Sequence, residues 1–335
     1  MLLANKRSAS QYDDVRQVCI SSSGDEVFCV TNPPKNCPPD RRCKNPAQLL
    51  TADDWHKITK KYRLGNKAIR TLKKFWAMGH TQFVTDNARL EWAFSELEDI
   101  MISKLKREIR AKTGVKYLPY HDADKHNDSV NSHLIVGTTG VGKTTFACKL
   151  LMTENSDGKC WAQDRDIICF AMHPDKNLDP ARQKYKKKWI DVSYERLDGD
   201  LDINIIPPGA LVVVDDVLEM QHDFRAKLIY NLVTAICTTG RHRRAKNGRG
   251  TEALVITHHY ASRRQLGTAR RAARFLTLFP QGSRLQTQHI LKSRLGYNKT
   301  EIHELLKACA GSRTMTIDLH HPMKVISENH VSLLE

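Results

Sequence analysis

An α/β fold with a mostly parallel sheet and helices on both faces is predicted by three observations. Short apolar runs alternate with helical patterns from residue 132 onward. One of these runs, Leu134 to Val136, leads straight into the glycine-rich stretch Gly137-Thr-Thr-Gly-Val-Gly-Lys-Thr-Thr145, and another, Ala210 to Val214, ends in the carboxylates Asp215 and Asp216. Strands buried on both faces read as continuous apolar runs, and strands separated by helices close as parallel sheets.

The elements follow in order. Residues 1–50 are rich in Ser, Asn, Asp and Pro and are expected to form a poorly ordered N-terminal arm. Cys19, Cys29, Cys37 and Cys43 fall in it at separations of ten, eight and six residues, which match no paired zinc-knuckle spacing, so free thiols are expected. Residues 51–113 form a helical N-terminal region, with Leu90, Phe94, Leu97, Met101 and Leu105 on one face. Lys104, Lys106, Arg107 and Arg110 gather near its end, where cations suit either the helix dipole or a DNA backbone. Polar, turn-rich residues 114–131 read as a linker, and 132–335 as the main domain. Within it the pattern predicts strands at 132–136, 167–171, 211–214, 254–257 and 275–279. Helices are predicted after the glycine-rich stretch to about 152, within 180–189, and across Phe224, Leu228, Leu232 and Ile236.

The glycine-rich stretch is a G-x-x-x-x-G-K-T phosphate-binding loop, or P-loop. Gly137, Gly140 and Gly142 let the backbone turn tightly, so that the N–H groups of Thr138, Thr139, Val141 and Thr145 and the following helix N-terminus converge on phosphates. Lys143 reaches the β- and γ-phosphates of a nucleoside triphosphate, and Thr144 offers its hydroxyl to Mg²⁺. Phe146, Leu150 and Leu151 mark the buried stripe of the helix that leaves the loop. The implied ligands are ATP and Mg²⁺, in a P-loop NTPase of the RecA-like (ASCE) kind.

Asp215, at the end of its strand, is placed to join Thr144 in the metal shell, and Asp216 to orient or deprotonate the attacking water. Thr257 and His258 end another apolar strand and are expected at the same sheet edge, sensing the γ-phosphate or holding the water. Arg241, in Gly240-Arg-His-Arg-Arg244, either reaches the γ-phosphate in its own subunit or across a subunit boundary, or belongs to a loop that grips DNA, or is a solvated helix cap. Arg243, Arg244, Lys246 and Arg249 in that loop are the DNA-binding candidates.

Composition narrows the classes. The chain has 335 residues, with 53 Lys and Arg against 37 Asp and Glu, and so a net charge of +16. An excess of that size suits neutralisation of nucleic-acid phosphates. No apolar stretch approaches the roughly 18 residues that span a bilayer, and the N-terminus is too short in its apolar part for a signal peptide, so a non-secreted protein is expected. Nine cysteines, an odd number spread from Cys19 to Cys309, fit reduced thiols. A small-GTPase reading fails, because Lys176-Asn-Leu-Asp179 has the wrong order for an Asn-Lys-x-Asp base-recognition element.

The order of these motifs resembles the FtsK/HerA superfamily of DNA translocases, and within it the genome-packaging ATPases of large eukaryotic DNA viruses such as poxviruses, of virophages and of Polinton-type elements. The resemblance covers about residues 130–330. It rests on Gly137 to Thr145, Asp179-Pro180-Ala181, Asp215-Asp216, Gly240-Arg241-His242, Thr257-His258, and Phe275 to Ser283. Such a protein forms a homo-oligomeric ring, pentameric or hexameric. It hydrolyses ATP at subunit boundaries and threads double-stranded DNA into a capsid through capsid or portal proteins, in the virion or at an intracellular assembly site. Many members carry Gln where this chain has His258, and the insertion Arg243 to Gly250 leaves the trans-acting arginine open between Arg241, Arg270 and Arg271. The other readings are an FtsK/HerA-like translocase of recombination or conjugation, a nucleotide-gated DNA-binding scaffold without turnover, and a small-metabolite kinase.

Overall fold

A computed structural model describes residues 2–5, 16–22, 27–31, 52–77, 87–104, 108–110, 116–119, 121, 132–154, 158–197, 199, 201–217, 223–258, 272–319 and 323–333. Its first elements are strands β1 (Leu2–Asn5), β2 (Arg16–Ser21) and β3 (Val27–Thr31) and helices α1 (Ala52–Tyr62), α2 (Asn66–Ala77) and α3 (Ala88–Lys104). Strands β4 (Glu108–Arg110) and β5 (Tyr117–Pro119) follow. Then come β6 (His133–Val136), α4 (Lys143–Met152), β7 (Ile167–Ala171), α5 (Asp179–Lys184), β8 (Trp189–Ser193), β9 (Leu211–Asp215), α6 (Phe224–Thr239), β10 (Glu252–Thr257) and β11 (Phe275–Leu278). The chain closes with α7 (Arg284–Leu295), α8 (Lys299–Ala308), β12 (Met315–Asp318), β13 (Lys324–Ser327) and β14 (His330–Leu333).

Two units emerge, Met1–Arg16 with Cys29–Ile109, and Gln17–Phe28 with Arg110–Glu335. In the first, α1, α2 and α3 bury Ile58, Leu72, Leu90, Ala93, Phe94 and Leu97 against one another. Leu90, Phe94 and Leu97 are the expected stripe. Glu96 accepts hydrogen bonds from Lys61 Nζ (2.6 Å) and Tyr62 Oη (2.5 Å), and these two partners hold its carboxyl below the usual range. Leu105, Lys106 and Arg107, and with them part of the basic cluster, lie outside the described residues.

The second unit is the α/β domain. Its strands run in the order β14-β13-β12-β11-β6-β10-β9-β7-β8, with β11 through β8 mutually parallel and β12 to β14 antiparallel. Right-handed crossovers put α4 and α5, which lead toward β8, on one face, and α6, which leads back from β9 to β10, on the other. Register keeps one parity on each face: Leu134, Val136, Val212, Val214, Val255, Leu276 and Leu278 pack with Ile229, Leu232, Val233 and Ile236 of α6 and with Ile290, Leu291, Ile302 and Leu305 of α7 and α8. Of the expected stripe on α6, Leu232 and Ile236 are buried, whereas Phe224 is 51% exposed and Leu228 half-buried, and Ala226, Ile229 and Val233 complete the buried face.

The opposite face carries a buried polar chain. His121 Nε2 lies 2.9 Å from His133 Nδ1, His133 Nε2 is 2.6 Å from Thr277 Oγ1, and that hydroxyl meets Thr316 Oγ1 at 2.5 Å. The His121 ring stacks on Trp161. Nearby, buried Asp318 is paired with Lys324 (3.1 Å) and Arg274 (3.4 Å). Trp161, stacked on His121, links the polar chain to a second network: its Nε1 donates to Glu252, with which Arg165 pairs while donating to the carbonyls of Gly209, Ala210 and Gly250. Glu252 therefore faces inward, toward Arg165, rather than opposing the basic loop that precedes it.

Three expectations of organisation change. The segment taken as a poorly ordered arm contains β1, β2 and β3, with Cys19 buried and β2 paired antiparallel to β5; Cys37 and Cys43 lie outside the described residues. The segment taken as a linker contains β5 and the buried His121, because Tyr117, Leu118 and His121 are covered by the α/β unit and Tyr117 N–H bonds to Glu328 O. Residues 180–189 hold only the short α5, because the chain enters strand β8 at Trp189. The six described cysteines that are free, Cys19, Cys148, Cys160, Cys169, Cys237 and Cys309, are all buried.

Candidate nucleotide site

The loop from Gly137 to Gly142 crosses the C-terminal edge of the parallel strands, where β6 hands over to α4. Gly140 (φ 80°) and Gly142 (φ 98°) occupy the left-handed region, and Gly142 caps α4. At Gly137 a Cβ would come within 2.9 Å of Val141 Cγ2 and 3.0 Å of Phe279, so only glycine fits beneath the loop. The end of β10 and the start of α7 hold the backbone: Gly137 N–H donates to Thr257 O (3.3 Å) and Thr138 N–H to Ser283 Oγ (2.9 Å). The stripe of α4, Phe146, Leu150 and Leu151, is buried, which leaves the N–H groups of its first turn at the loop.

Lys143 is 5% exposed, and its ammonium sits within the group it must serve. Nζ lies 3.0 Å from His258 Nδ1, 3.3 Å from Thr138 O and 4.0 Å from Asp216 Oδ1. Since an ammonium only donates, His258 Nδ1 accepts, and Nε2 carries the proton toward Asp216 Oδ2 at 2.8 Å. Thr139 Oγ1 stands 3.2 Å from the same Nδ1. Asp216 takes φ 54°, a conformation uncommon outside glycine, which turns its carboxylate from the strand into this cluster.

Asp215 is buried at the end of β9, beside the Thr144 hydroxyl that hydrogen-bonds to it. Burial, then the charges of Asp216 and Asp175, push its carboxyl up to about 7 despite Lys143 and Thr144. Its Oδ1 has no hydrogen-bond partner among the described residues. An orphaned buried carboxylate oxygen next to a threonine hydroxyl is a donor set that fits a hard divalent cation such as Mg²⁺.

Of the predicted residues, Gly137, Thr138, Thr139, Gly140, Val141, Gly142, Lys143, Thr144, Thr145, Asp215, Asp216 and His258 come together at this edge. Thr257 is there too, but it is buried and meets the loop through its carbonyl, so it supports the loop instead of facing a water. Arg241 is not brought in. It lies in the turn Gly240–His242 before β10 begins, at the opposite edge of the sheet, and the six residues of β10 separate the two edges by about 17 Å at the usual strand rise. A reach to the γ-phosphate of its own subunit is therefore excluded. Arg270 and Arg271 lie outside the described residues.

The basic loop divides in two. Arg243 donates to Asn204 Oδ1 (2.6 Å) and Ile206 O (2.7 Å), and Arg249 to Gln163 O (2.5 Å), so both anchor the loop to the domain. Arg244 and Lys246 are exposed. Sequence reading missed four contributors. Gln286 Nε2 on α7 donates to His258 O at 2.8 Å. Asp175 holds Asn177 (2.7 Å to its N–H), and Asn177 Oδ1 lies 3.5 Å from Thr145 Oγ1. Arg313 Nη2 reaches Val141 O at 3.3 Å. The Asp-x-Asn turn before α5 was a readable signal; Gln286 and Arg313 reach the site only through tertiary contact.

Fold and site together define a P-loop nucleotide-binding α/β protein. No protein-family model and no curated protein matches the chain. Among solved structures it is similar to the DNA-packaging ATPase B204 of Sulfolobus Turreted Icosahedral Virus, at 13% identity over 60% of this chain and 98% of that one, with a TM-score of 0.38. It is also similar to the pCW3 conjugation coupling protein TcpA (12%, 67% and 66%, TM-score 0.36). A third is the cytoplasmic domain of the Thermomonospora curvata type VII secretion ATPase EccC (10%, 67% and 28%, TM-score 0.37). Similarity at this level assigns no activity to the chain.

Proposed function

We propose that this chain is an ATP-hydrolysing DNA translocase that packages double-stranded viral DNA into capsids as a ring oligomer. The observation that carries the hydrolytic part is the convergence of Lys143, Asp216 and His258 on one edge of the sheet, with Asp215 and Thr144 beside them. When triphosphate enters the loop, the Lys143 ammonium moves from His258 and Asp216 to the β- and γ-phosphate oxygens. Asp216, freed of that neighbour and oriented by the Nε2–H of His258, accepts the proton of a water attacking the γ-phosphorus as the bond to the β-phosphate oxygen breaks. ADP and phosphate leave. Thr144 and Asp215 would hold Mg²⁺, which supplies charge neutralisation on the phosphates when bound.

Translocation on DNA is supported by the net charge of +16 and the exposed Arg244 and Lys246. Packaging, the ring, the capsid or portal partner and a site of action at viral assembly are supported by the motif order from Gly137 to Ser283. With Arg241 at the far edge from its own site, any arginine of that loop would act across a subunit boundary. No helix among the described residues is long and apolar enough to cross a membrane.

The test is steady-state ATPase activity of wild type, Lys143→Ala and Asp216→Asn, with and without linear duplex DNA. DNA-stimulated turnover, abolished by Lys143→Ala and reduced at least a hundredfold by Asp216→Asn, is expected; ATP binding with no turnover would overturn the hydrolytic reading in favour of a nucleotide-gated scaffold. Co-sedimentation with assembling capsids separates packaging from recombination or conjugation.

A further inference from the structure

We infer that a cleft between the start of α7 and the end of α8 receives the nucleoside half of the triphosphate, and that Arg313 marks its junction with the phosphate loop. The inference rests on the nucleotide reading and adds a second subsite to it. Lys143, His258 and Asp216 lie toward β10 and β9, so the γ-phosphate end of a bound triphosphate points that way. The remainder of the molecule must leave on the other side of β6, over β11 and β12.

A cleft of about 600 Å³ opens on that side. Its walls are Pro280 and Arg284 at the start of α7, and His303, Leu306, Lys307 and Ala310 on and after α8. The volume is within the range that small-molecule sites occupy. Both walls touch the phosphate loop. On one side, Gly282 O accepts from Thr138 Oγ1 (3.2 Å), and a Cβ at Gly282 would collide with the Val141 side chain. On the other, Arg313 Nη2 donates to Val141 O (3.3 Å), and a Cβ on Gly142 would lie 2.9 Å from the same Nη2.

The wall carrying Arg313 is fixed in place. Asn329, in the turn between β13 and β14, donates through Nδ2 to Ala310 O (3.1 Å) and accepts from Ser312 Oγ (2.6 Å). Glu328 accepts from Arg313 N–H at 3.1 Å. The guanidinium is thus presented at the loop from a braced backbone while the residue stays exposed. Leu306, Pro280 and Ala310 offer apolar surface to a base, and Arg284, His303 and Lys307 offer donors to ring nitrogens and ribose oxygens.

Two ligands separate this subsite from the phosphate loop: a non-hydrolysable ATP analogue, and inorganic tripolyphosphate, which has no nucleoside, each titrated calorimetrically with Mg²⁺. Ala310→Trp and His303→Trp, each of which fills the cleft from a lining residue that does not touch the phosphate loop, are each expected to weaken the ATP analogue at least tenfold while leaving tripolyphosphate within twofold of wild type. Lys143→Ala should weaken both ligands. Melting temperatures identify a variant that fails to fold; if Ala310→Trp does, His303→Trp alone decides. Wild-type affinity for the ATP analogue in the folded variants, or an equal loss for both ligands, would overturn the cleft and leave the phosphate loop standing. A wild-type protein that binds neither ligand would overturn the nucleotide reading itself.

Discussion

Lowering the pH from 7 to 5 is expected to cost the α/β unit about 2 kcal/mol through His133 alone. His133 is buried on β6 between His121 and Thr277, and burial lowers its pKa from 6.5 to about 3. Between those two values the unfolded chain takes up a proton there and the folded chain does not. The stabilising contribution is therefore complete above pH 6.5 and falls as the pH drops toward 3. At about 1.36 kcal/mol per pH unit, the integral is roughly 2 kcal/mol at pH 5 and roughly 3 kcal/mol at pH 4. His121, also lowered well below its usual value by burial and by His133, adds in the same direction. The assay is urea unfolding at pH 7.5, 6 and 5 of wild type and of His133→Gln, whose amide can donate and accept but does not titrate. The variant is expected to be less stable at neutral pH yet to lose about 2 kcal/mol less on acidification. Equal acid losses in the two proteins would refute the assignment of that proton to His133.

Arg165→Met strips a buried guanidinium from Glu252 and from three carbonyls, and should destabilise the unit by about 3–5 kcal/mol in urea, because it breaks a buried ion pair by removing one partner. A loss under about 1 kcal/mol would mean the network is slack. Gly240→Ala places a Cβ 2.2 Å from Thr251 O and should cost about 1–3 kcal/mol by overpacking against backbone, read as a lowered melting temperature; an unchanged value would show that the turn before β10 yields freely. Replacing Arg244 and Lys246 together by alanine should flatten the log–log salt dependence of duplex DNA binding by up to about 1.8, at about 0.9 per phosphate contact, without loss of stability. An unchanged slope would assign the loop to subunit contacts or solvent.

The centre of the fold was legible because of where it is buried. Strands β6, β7, β9, β10 and β11 lie inside the sheet with helices over both faces, so they are largely apolar, with His133, Glu252 and Thr277 as hydrogen-bonded exceptions, and such runs stand out in one dimension. Strand β8 was not legible: as the edge strand it is half open, Ile190 is 51% exposed, and Trp-Ile-Asp-Val-Ser after three lysines carries no clean period. Strands β12 to β14 hide for the opposite reason. They bury Thr316, Asp318, Lys324 and Ser327, polar residues that read as surface until Arg274, Asp318 and Lys324 are seen to satisfy one another. Helix α8 had a signal that went unused, the capping box Asn298-x-x-Glu301.

The same division runs through the site. The sequence by itself determined the phosphate loop and the acidic strand end, since G-x-x-x-x-G-K-T and an apolar run closed by Asp215 and Asp216 are local patterns whose chemistry depends on neighbours in the chain. Only the tertiary structure decided that Lys143 rests against His258 and Asp216, that Gln286 and Arg313 belong to the site, and that Arg241 stands at the far edge of the sheet from its own phosphate loop. These contacts join residues between 28 and 172 positions apart, or separate residues that a motif list places side by side. Strand order and direction set such distances, and neither is written in any local pattern.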